Sequence, residues 1–272
     1  MKSLINFILE KFNDAKNGDE FYTQESDIIK ILNEYDFSNK AVYCNCDNPE
    51  FSNFWKVFYE NFNKLNLKKL IATYYDENPY LYEYDGKNIN KTKIKSGRFQ
   101  DNIEYIKECD IVVTNPPFSD NMPTELATIL LENKVDFMFV GPLHTITNKT
   151  FFSYIKEGKI QAMKHNVNKF KTPSGSYKNA PCCWWTNLDI DNKEFNPTKQ
   201  YSEQDYQKYD NYNAINCNNW KDIPKDYKEN IGVPTRFITH LNNKQYEIID
   251  LITPKLNGKK IYKRLIIKNK GA

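Results

Sequence analysis

Four short apolar runs punctuate the first 165 residues: AVYC (41–44), KLIATYY (69–75), IVVT (111–114) and DFMFVG (136–141). They are rich in β-branched and aromatic residues and lack the alternation of a half-solvated strand, so they predict strands buried on both faces. Helical spacing fills the stretches between them. Strands and helices in that order predict an α/β fold with a doubly wound, mainly parallel sheet. After AVYC, the spacing of Phe51, Phe54, Trp55, Phe58 and Phe62 predicts a helix with an aromatic face. YLYEYDGKNINKTKIK (80–95) alternates around an Asp-Gly pair and predicts an inserted hairpin. At the start, Leu4, Ile5, Ile8 and Phe12, with Glu10 and Asp14, fit an amphipathic helix better than a signal peptide.

Beyond about residue 165 the pattern changes. The chain becomes rich in Asn, Lys and Tyr, with turn residues and no long helical period. Trp184, Trp185, Tyr201, Tyr206, Tyr209, Tyr212 and Trp220 are too many aromatics for a solvated linker, so a small, irregular second domain is expected. The predicted division is a domain over 1–165 and a second region over 166–272, with parts of 182–188 returning to the first sheet.

Composition narrows the class. A chain of 272 residues is long enough for a large core, and its 40% hydrophobic and 27% charged residues suit a globular protein. Glycine is scarce, at 9 residues, so a nucleotide-like ligand could not be held by a glycine-rich loop of the usual kind. The net charge of +3 does not by itself mark a nucleic-acid binder, but residues 254–272 hold seven Lys or Arg and no acid. Such a segment is either a solubilising tail or a phosphate-contacting surface. Six cysteines without paired spacing and only three histidines favour free thiols in a reducing cytoplasm over a metal site. No apolar run has the length of a membrane span.

One loop carries chemistry. IVVT runs directly into Asn115-Pro116-Pro117-Phe118, and ligands of open parallel sheets bind beyond the carboxyl ends of the strands. The prolines fix φ and remove two N–H donors, and Asn115 is pushed into an extended conformation. The Asn115 side-chain oxygen and the Pro116 carbonyl then form a pair of acceptors beside the Phe118 ring. This suits a planar ring with an exocyclic amino group. A strand-ending turn with Phe118 in the core would have the same four residues.

More of the chain joins this loop: DEFYTQESDI (19–28), VYCNCDNPEFSNFWKVF (42–58), CDIVVTNPPFS (109–119), CCWWTNL (182–188) and IPKDY…IGVPTRFI (223–238). Together, over about residues 19–267, they resemble the EcoRI-type DNA adenine-N6 methyltransferases, which use S-adenosylmethionine. The resemblance implies a class I, Rossmann-like methyltransferase domain followed by a smaller DNA-recognition region. It implies Asn115, Pro116, Pro117 and Phe118 as the catalytic loop, acting on an adenine flipped out of duplex DNA. Tyr22 and Thr23 would touch the methionine part of the donor. Cys46, Asp47, Asn48 and Pro49 would close around it where relatives of other families carry a glycine-rich turn, with Ser52 and Asn53 opening the next helix. Phe99 would stack on the donor adenine, and Asn115 would also lie against the donor.

Two positions depart from the family pattern. Arg98 stands where an acid usually precedes Phe99, with Asp101 three residues on, and Pro142 and His144 replace amide residues. Lys169, Lys171, Lys178, Lys259, Lys260, Lys263 and Arg264 would contact phosphate, and KTPSGSYK (171–178) would be a loop that orders on DNA. A monomer is expected, and a cognate restriction nuclease is a candidate partner. Two other readings use the same loop: methylation of an RNA base or a protein glutamine amide, and an inactive methyltransferase-fold protein that binds DNA.

Overall fold

The computed structural model describes residues 21–119, 121–172, 175–190 and 195–271. The amphipathic segment predicted around Leu4–Phe12 lies outside the described residues. The chain divides into two compact units. One holds the described residues up to Phe151 together with His165–Leu188, and the other holds Phe152–Lys164 together with the residues from Asp189 onward.

In chain order the elements up to Thr186 are β1 (Tyr22–Thr23), α1 (Glu25–Ile29), β2 (Ala41–Cys44), α2 (Asn53–Glu60), β3 (Lys69–Ala72), β4 (Tyr80–Tyr84), β5 (Ile89–Lys93), α3 (Ile103–Glu108), β6 (Ile111–Thr114), α4 (Met122–Glu132), β7 (Asp136–Pro142), α5 (Lys149–Lys156), β8 (Gln161–Lys171) and β9 (Tyr177–Thr186). Among the described residues, nine strands form one sheet in the order β1-β8-β9-β7-β6-β2-β3-β4-β5.

The four predicted strands are its parallel centre: β3, β2, β6 and β7 pair parallel in that order. Every residue of β2 and β6 is buried, which is why these runs are apolar without alternation. The chain leaves β2 towards β3 and returns on the other side as β6. The gap between the carboxyl ends of β2 and β6 is therefore the topological switch point, where open sheets of this kind bind ligands. On the flanks, β9 pairs antiparallel with β7, β4 with β3, β5 with β4, and β1 with β8. The predicted hairpin is β4–β5, turning at Gly86 with φ 91°. Its fully exposed outer strand carries Lys91 and Lys93, charges that discourage edge-to-edge pairing.

Helix α2 starts at the Ser52 cap, whose hydroxyl accepts from the Phe54 N–H at 3.0 Å. Phe54, Trp55, Phe58 and Phe62 are buried as the spacing predicted, but Phe51 is 65% exposed. Phe51 precedes the helix, so it does not share the helical face. CCWW also belongs to the sheet: Cys182, Cys183, Trp184 and Trp185 are fully buried in β9.

The second unit contains β10 (Ile215–Asn216), β11 (Ile231–Pro234), β12 (Tyr246–Ile252), β13 (Lys255–Leu256), β14 (Lys259–Lys260) and β15 (Arg264–Asn269). β10, β11, β15 and β12 form a sheet in that order, centred on the buried Leu265, Ile266 and Ile267. Tyr206 and Tyr209 are buried here, consistent with an aromatic-rich second core. Gly232 allows Tyr209 to approach: a Cβ there would lie 2.2 Å from the Tyr209 hydroxyl. β13 and β14 form a separate two-stranded hairpin.

Candidate active site

The loops after β2 and β6 are tied together by one carboxylate. Asp47 is buried, and its Oδ1 and Oδ2 accept from the Ser52 and Thr114 hydroxyls, each at 2.7 Å. The main-chain N–H of Asn115 also donates to it. Burial raises the Asp47 carboxyl from 3.8 to about 6, although these three donors favour its charge. Its own N–H donates to the Thr73 carbonyl at 3.1 Å, so the end of β3 joins the network. Asp47 thus holds the Asn115 backbone in register with the turn after β2.

The Asn115 side chain is held from the opposite direction. Its Nδ2 donates to the Phe21 carbonyl, just before β1. Its Oδ1 is buried with no hydrogen-bond partner. Fixing Nδ2 removes the freedom of the amide to flip, so the oxygen is the end left for another molecule. A buried acceptor without a partner costs roughly 1–3 kcal/mol unless something supplies a donor. The segment that supplies the Phe21 carbonyl is itself pinned, since Asn53 Nδ2 donates to the Thr23 carbonyl at 2.7 Å.

Pro116 is buried, Pro117 is exposed and Phe118 is half-buried. The Phe118 ring stacks on Phe21, with centroids 5.3 Å apart and planes at 21°. Phe170 meets both rings edge-on, at 5.8 Å from Phe118 and 5.5 Å from Phe21.

The turn between β2 and α2 is built on Asn48. Its Oδ1 accepts from the Glu50 N–H at 2.9 Å, and its carbonyl accepts from the Ser52 N–H at 2.7 Å. Cys44 is buried below, whereas Cys46 and Pro49 are half-buried at the turn. A groove of about 810 Å³ lies beside β1, lined by Tyr22, Gln24, Phe51, Asn53, Lys171 and Tyr177 among others. Thr23 Oγ1, Gln24 Nε2 and Asn45 Nδ2 are buried polar atoms without partners. Of these three residues Gln24 lines the groove, whose size suits a small ligand bearing hydrogen-bond acceptors.

The other predicted residues have surroundings of their own. Phe99 is buried, and its loop packs against the segment after β3, where a Cβ on Gly97 would lie 1.9 Å from the Tyr74 carbonyl oxygen. Arg98 is exposed, and Asp101 accepts from the Ser96 hydroxyl at 2.7 Å. His144 is exposed. Lys169, Lys171 and Lys178 lie on β8 and β9 of the large sheet, exposed on its surface. Lys169 Nζ sits 4.3 Å from the Tyr177 ring centre, and Lys178 Nζ sits 5.7 Å from that of Phe21. In KTPSGSYK, Thr172 and Ser176 close the turn between β8 and β9, and Pro173 and Ser174 lie outside the described residues. Lys260 and Lys263 are exposed, while Arg264 is half-buried and bonded to Asn218 and the Tyr262 carbonyl.

Sequence reasoning missed Phe21, Thr114 and Phe170. Phe21 holds Asn115 through a backbone carbonyl, which leaves no sequence signal. Thr114, the one polar residue of IVVT, immediately before Asn115, was a readable sign.

Comparison with known proteins agrees with the geometry. The family model described as adenine-specific methyltransferase EcoRI matches residues 8–97 and 82–271. The type II methyltransferase M.EcoRI of Escherichia coli is 38% identical over 323 aligned residues, covering 99% of this chain and 98% of the relative. M.MgeORF184P of Mycoplasma genitalium, also a type II methyltransferase, is 32% identical over 317 residues, covering 96% and 99%. M.MpnI of Mycoplasma pneumoniae, another, is 33% identical over 275 residues, covering 89% and 85%. With its Asn115–Phe118 loop anchored at the switch point of the expected sheet, this chain belongs to the EcoRI family of adenine-specific methyltransferases.

Proposed function

We propose that this enzyme, an adenine-specific DNA methyltransferase, transfers a methyl group from S-adenosylmethionine to N6 of an adenine rotated out of duplex DNA. The observation that carries the reading is the buried, partnerless Asn115 Oδ1, aimed by a fixed amide at the end of β6. An exocyclic amino group is the donor such an oxygen lacks. Accepting its hydrogen draws the nitrogen lone pair out of conjugation with the ring and orients it, and the Pro116 carbonyl is a second acceptor. Phe118, already stacked on Phe21 by one face, offers its other face to the base.

S-adenosylmethionine, when bound, supplies a methyl carbon on a sulfonium, electrophilic enough that the amine needs no strong base. The N–C bond would form as the S–C bond broke, and the surplus amine proton would pass to water. The work left to the protein is positioning. Tyr22, Thr23, Asn53 and, from the turn after β2, Asn45, Cys46, Asn48 and Pro49 would hold the donor, whose polar groups would satisfy Thr23 Oγ1 and Asn45 Nδ2. Asp47 contributes by locking the two loops together rather than by touching the donor, because its carboxylate is occupied on both oxygens. Base extrusion is required because N6 is inaccessible to chemistry within the stack. Residues 189–272 and the lysines of β8 and β9 would contact the DNA, with the large-sheet unit carrying the chemistry. A cytoplasmic location follows from this substrate.

The test is incubation of the purified protein with labelled S-adenosylmethionine and mixed-sequence duplex DNA, followed by nucleoside analysis. N6-methyladenine is the expected product. Label on RNA or protein alone, or on cytosine, would overturn the reading.

A further inference from the structure

Tyr262 is 89% exposed, the most exposed large apolar side chain among the described residues. A single aromatic in water is ordinary by itself. Its mounting is not. β13 and β14 turn through Asn257 and Gly258, both at positive φ (51° and 74°), the conformation of a tight two-residue hairpin. The turn is tied down where the Gly258 N–H donates to Asp210 Oδ2 at 2.7 Å and Gln207 Nε2 donates to Asn257 Oδ1 at 2.8 Å. After β14, the Ile261 N–H donates to the Pro254 carbonyl at 3.0 Å, and the Ile261 side chain packs against the cluster of Tyr209, Ala214 and Ile266. Ile261 points in and Tyr262 points out.

Arg264 completes the mount. One guanidinium nitrogen donates to the Tyr262 carbonyl at 3.3 Å and another to Asn218 Oδ1 at 3.0 Å. Arg264 therefore braces the backbone that presents Tyr262, a different role from the phosphate contact its charge suggests. Lys259, Lys260 and Lys263, all exposed, surround the ring in sequence. A rigid, outward aromatic among cations, in a stretch with no acid from Pro254 to Ala272, matches a polyanion that also offers flat π-faces.

We propose that Tyr262 is a base-stacking residue, set by its hairpin against a base of the bound duplex while the flanking lysines meet the phosphates. The inference rests on the DNA-methylation reading above. Intact duplex hides its base faces, and an adenine leaving the stack exposes one, so the ring would engage at a step that opens.

The test uses the full chain and the fluorescein-labelled duplex that the enzyme methylates, with affinity measured across a salt series. Tyr262→Ala is expected to weaken binding roughly 5- to 100-fold, the range of one lost base–aromatic stack. The slope of log affinity against log salt should be unchanged, because no phosphate contact is lost. Tyr262→Phe should bind within about twofold of the wild type. The side chain is exposed, so melting temperatures should match. An alanine variant within about twofold of the wild type overturns the proposal. Equal losses in the alanine and phenylalanine variants do so as well, since they would show a hydroxyl contact in place of stacking. If the wild type neither binds nor methylates any duplex, the functional reading fails first and the stacking role fails with it.

Discussion

At the carboxyl ends of β2 and β6, polar groups are buried and committed: Asp47 to Ser52, Thr114 and the Asn115 N–H, and the Asn115 amide nitrogen to Phe21. In the β13–β14 hairpin the reverse holds, with Lys259, Lys260, Tyr262 and Lys263 all exposed. What is tied down there is the backbone, the turn through Asn257, the inward Ile261 and the Arg264 brace. The contrast follows from what each region has to meet. In the proposed reaction a misplacement of about 1 Å would cost roughly 100-fold in rate, which suits an acceptor held by two independent anchors. In the proposed DNA complex, phosphates would attract over several ångströms, so cations that keep their rotamer freedom would serve as well as fixed ones.

Three substitutions would break or sharpen this contrast. The largest effect is expected from Asn115→Ala, which removes the acceptor. Turnover should fall by about 10²- to 10³-fold, the scale for losing one preorganised transition-state hydrogen bond. Donor affinity, measured by calorimetry, should remain close to wild type. Turnover near the wild-type rate would remove Asn115 from the chemistry.

Asp47→Asn comes next and separates positioning from stability. Burial holds the Asp47 carboxyl at about 6 against an ordinary 3.8. A folded-state value above the unfolded one means that the native state binds the extra proton. Its stabilising contribution is full below the ordinary value and fades as the pH rises through about 6. Activity has the opposite sense, because the charged form accepts all three donors. The wild-type rate should therefore fall as the pH drops below about 6. An asparagine side chain in its place would mimic the neutral form at every pH, so that limb should disappear and the rate at pH 8 should be about tenfold lower. The melting temperature at that pH should stay level or rise. A lower melting temperature with an unchanged rate would mean that Asp47 is merely structural.

The smallest effect is expected in the hairpin. Lys260→Ala should reduce affinity a few-fold, lower the salt slope by about 0.9 and leave the melting temperature alone. An unchanged slope would remove Lys260 from the phosphate contacts.

The parallel centre of the sheet was legible because buried strands must be apolar throughout, and AVYC, IVVT and their neighbours are. The hairpin at β4–β5 was legible from the alternation around Asp85-Gly86. The second region was harder. β8 reads QAMKHNVNKFK, where His165 engages Glu34 and the lysines alternate irregularly, so its period of two is blurred. β9 was half-visible, in CCWW. Phe51 looked helical because residues three apart are neighbours only within a helix, and the helix begins at Asn53. In the site, the Asn115–Phe118 loop stood out only beside the other blocks that resemble the family, because a strand-ending turn would carry the same four residues. The Asp47 bridge and the Phe21 anchor were not, since both depend on which loops the sheet order brings side by side.

The Phe21 anchor also bears on how the enzyme comes into being. Phe21 is placed by β1, and β1 is held by β8, through Tyr22 opposite Lys171 and Thr23 opposite Phe170. The Asn115 amide thus depends on one of the most sequence-distant pairings in the sheet, between a two-residue edge strand and a strand ending at Lys171. Such closures carry a high loop entropy and form late. If Asn115 has the proposed role, a chain emerging from the ribosome has no working centre until synthesis has passed β8, and the enzyme is silent through most of its own production.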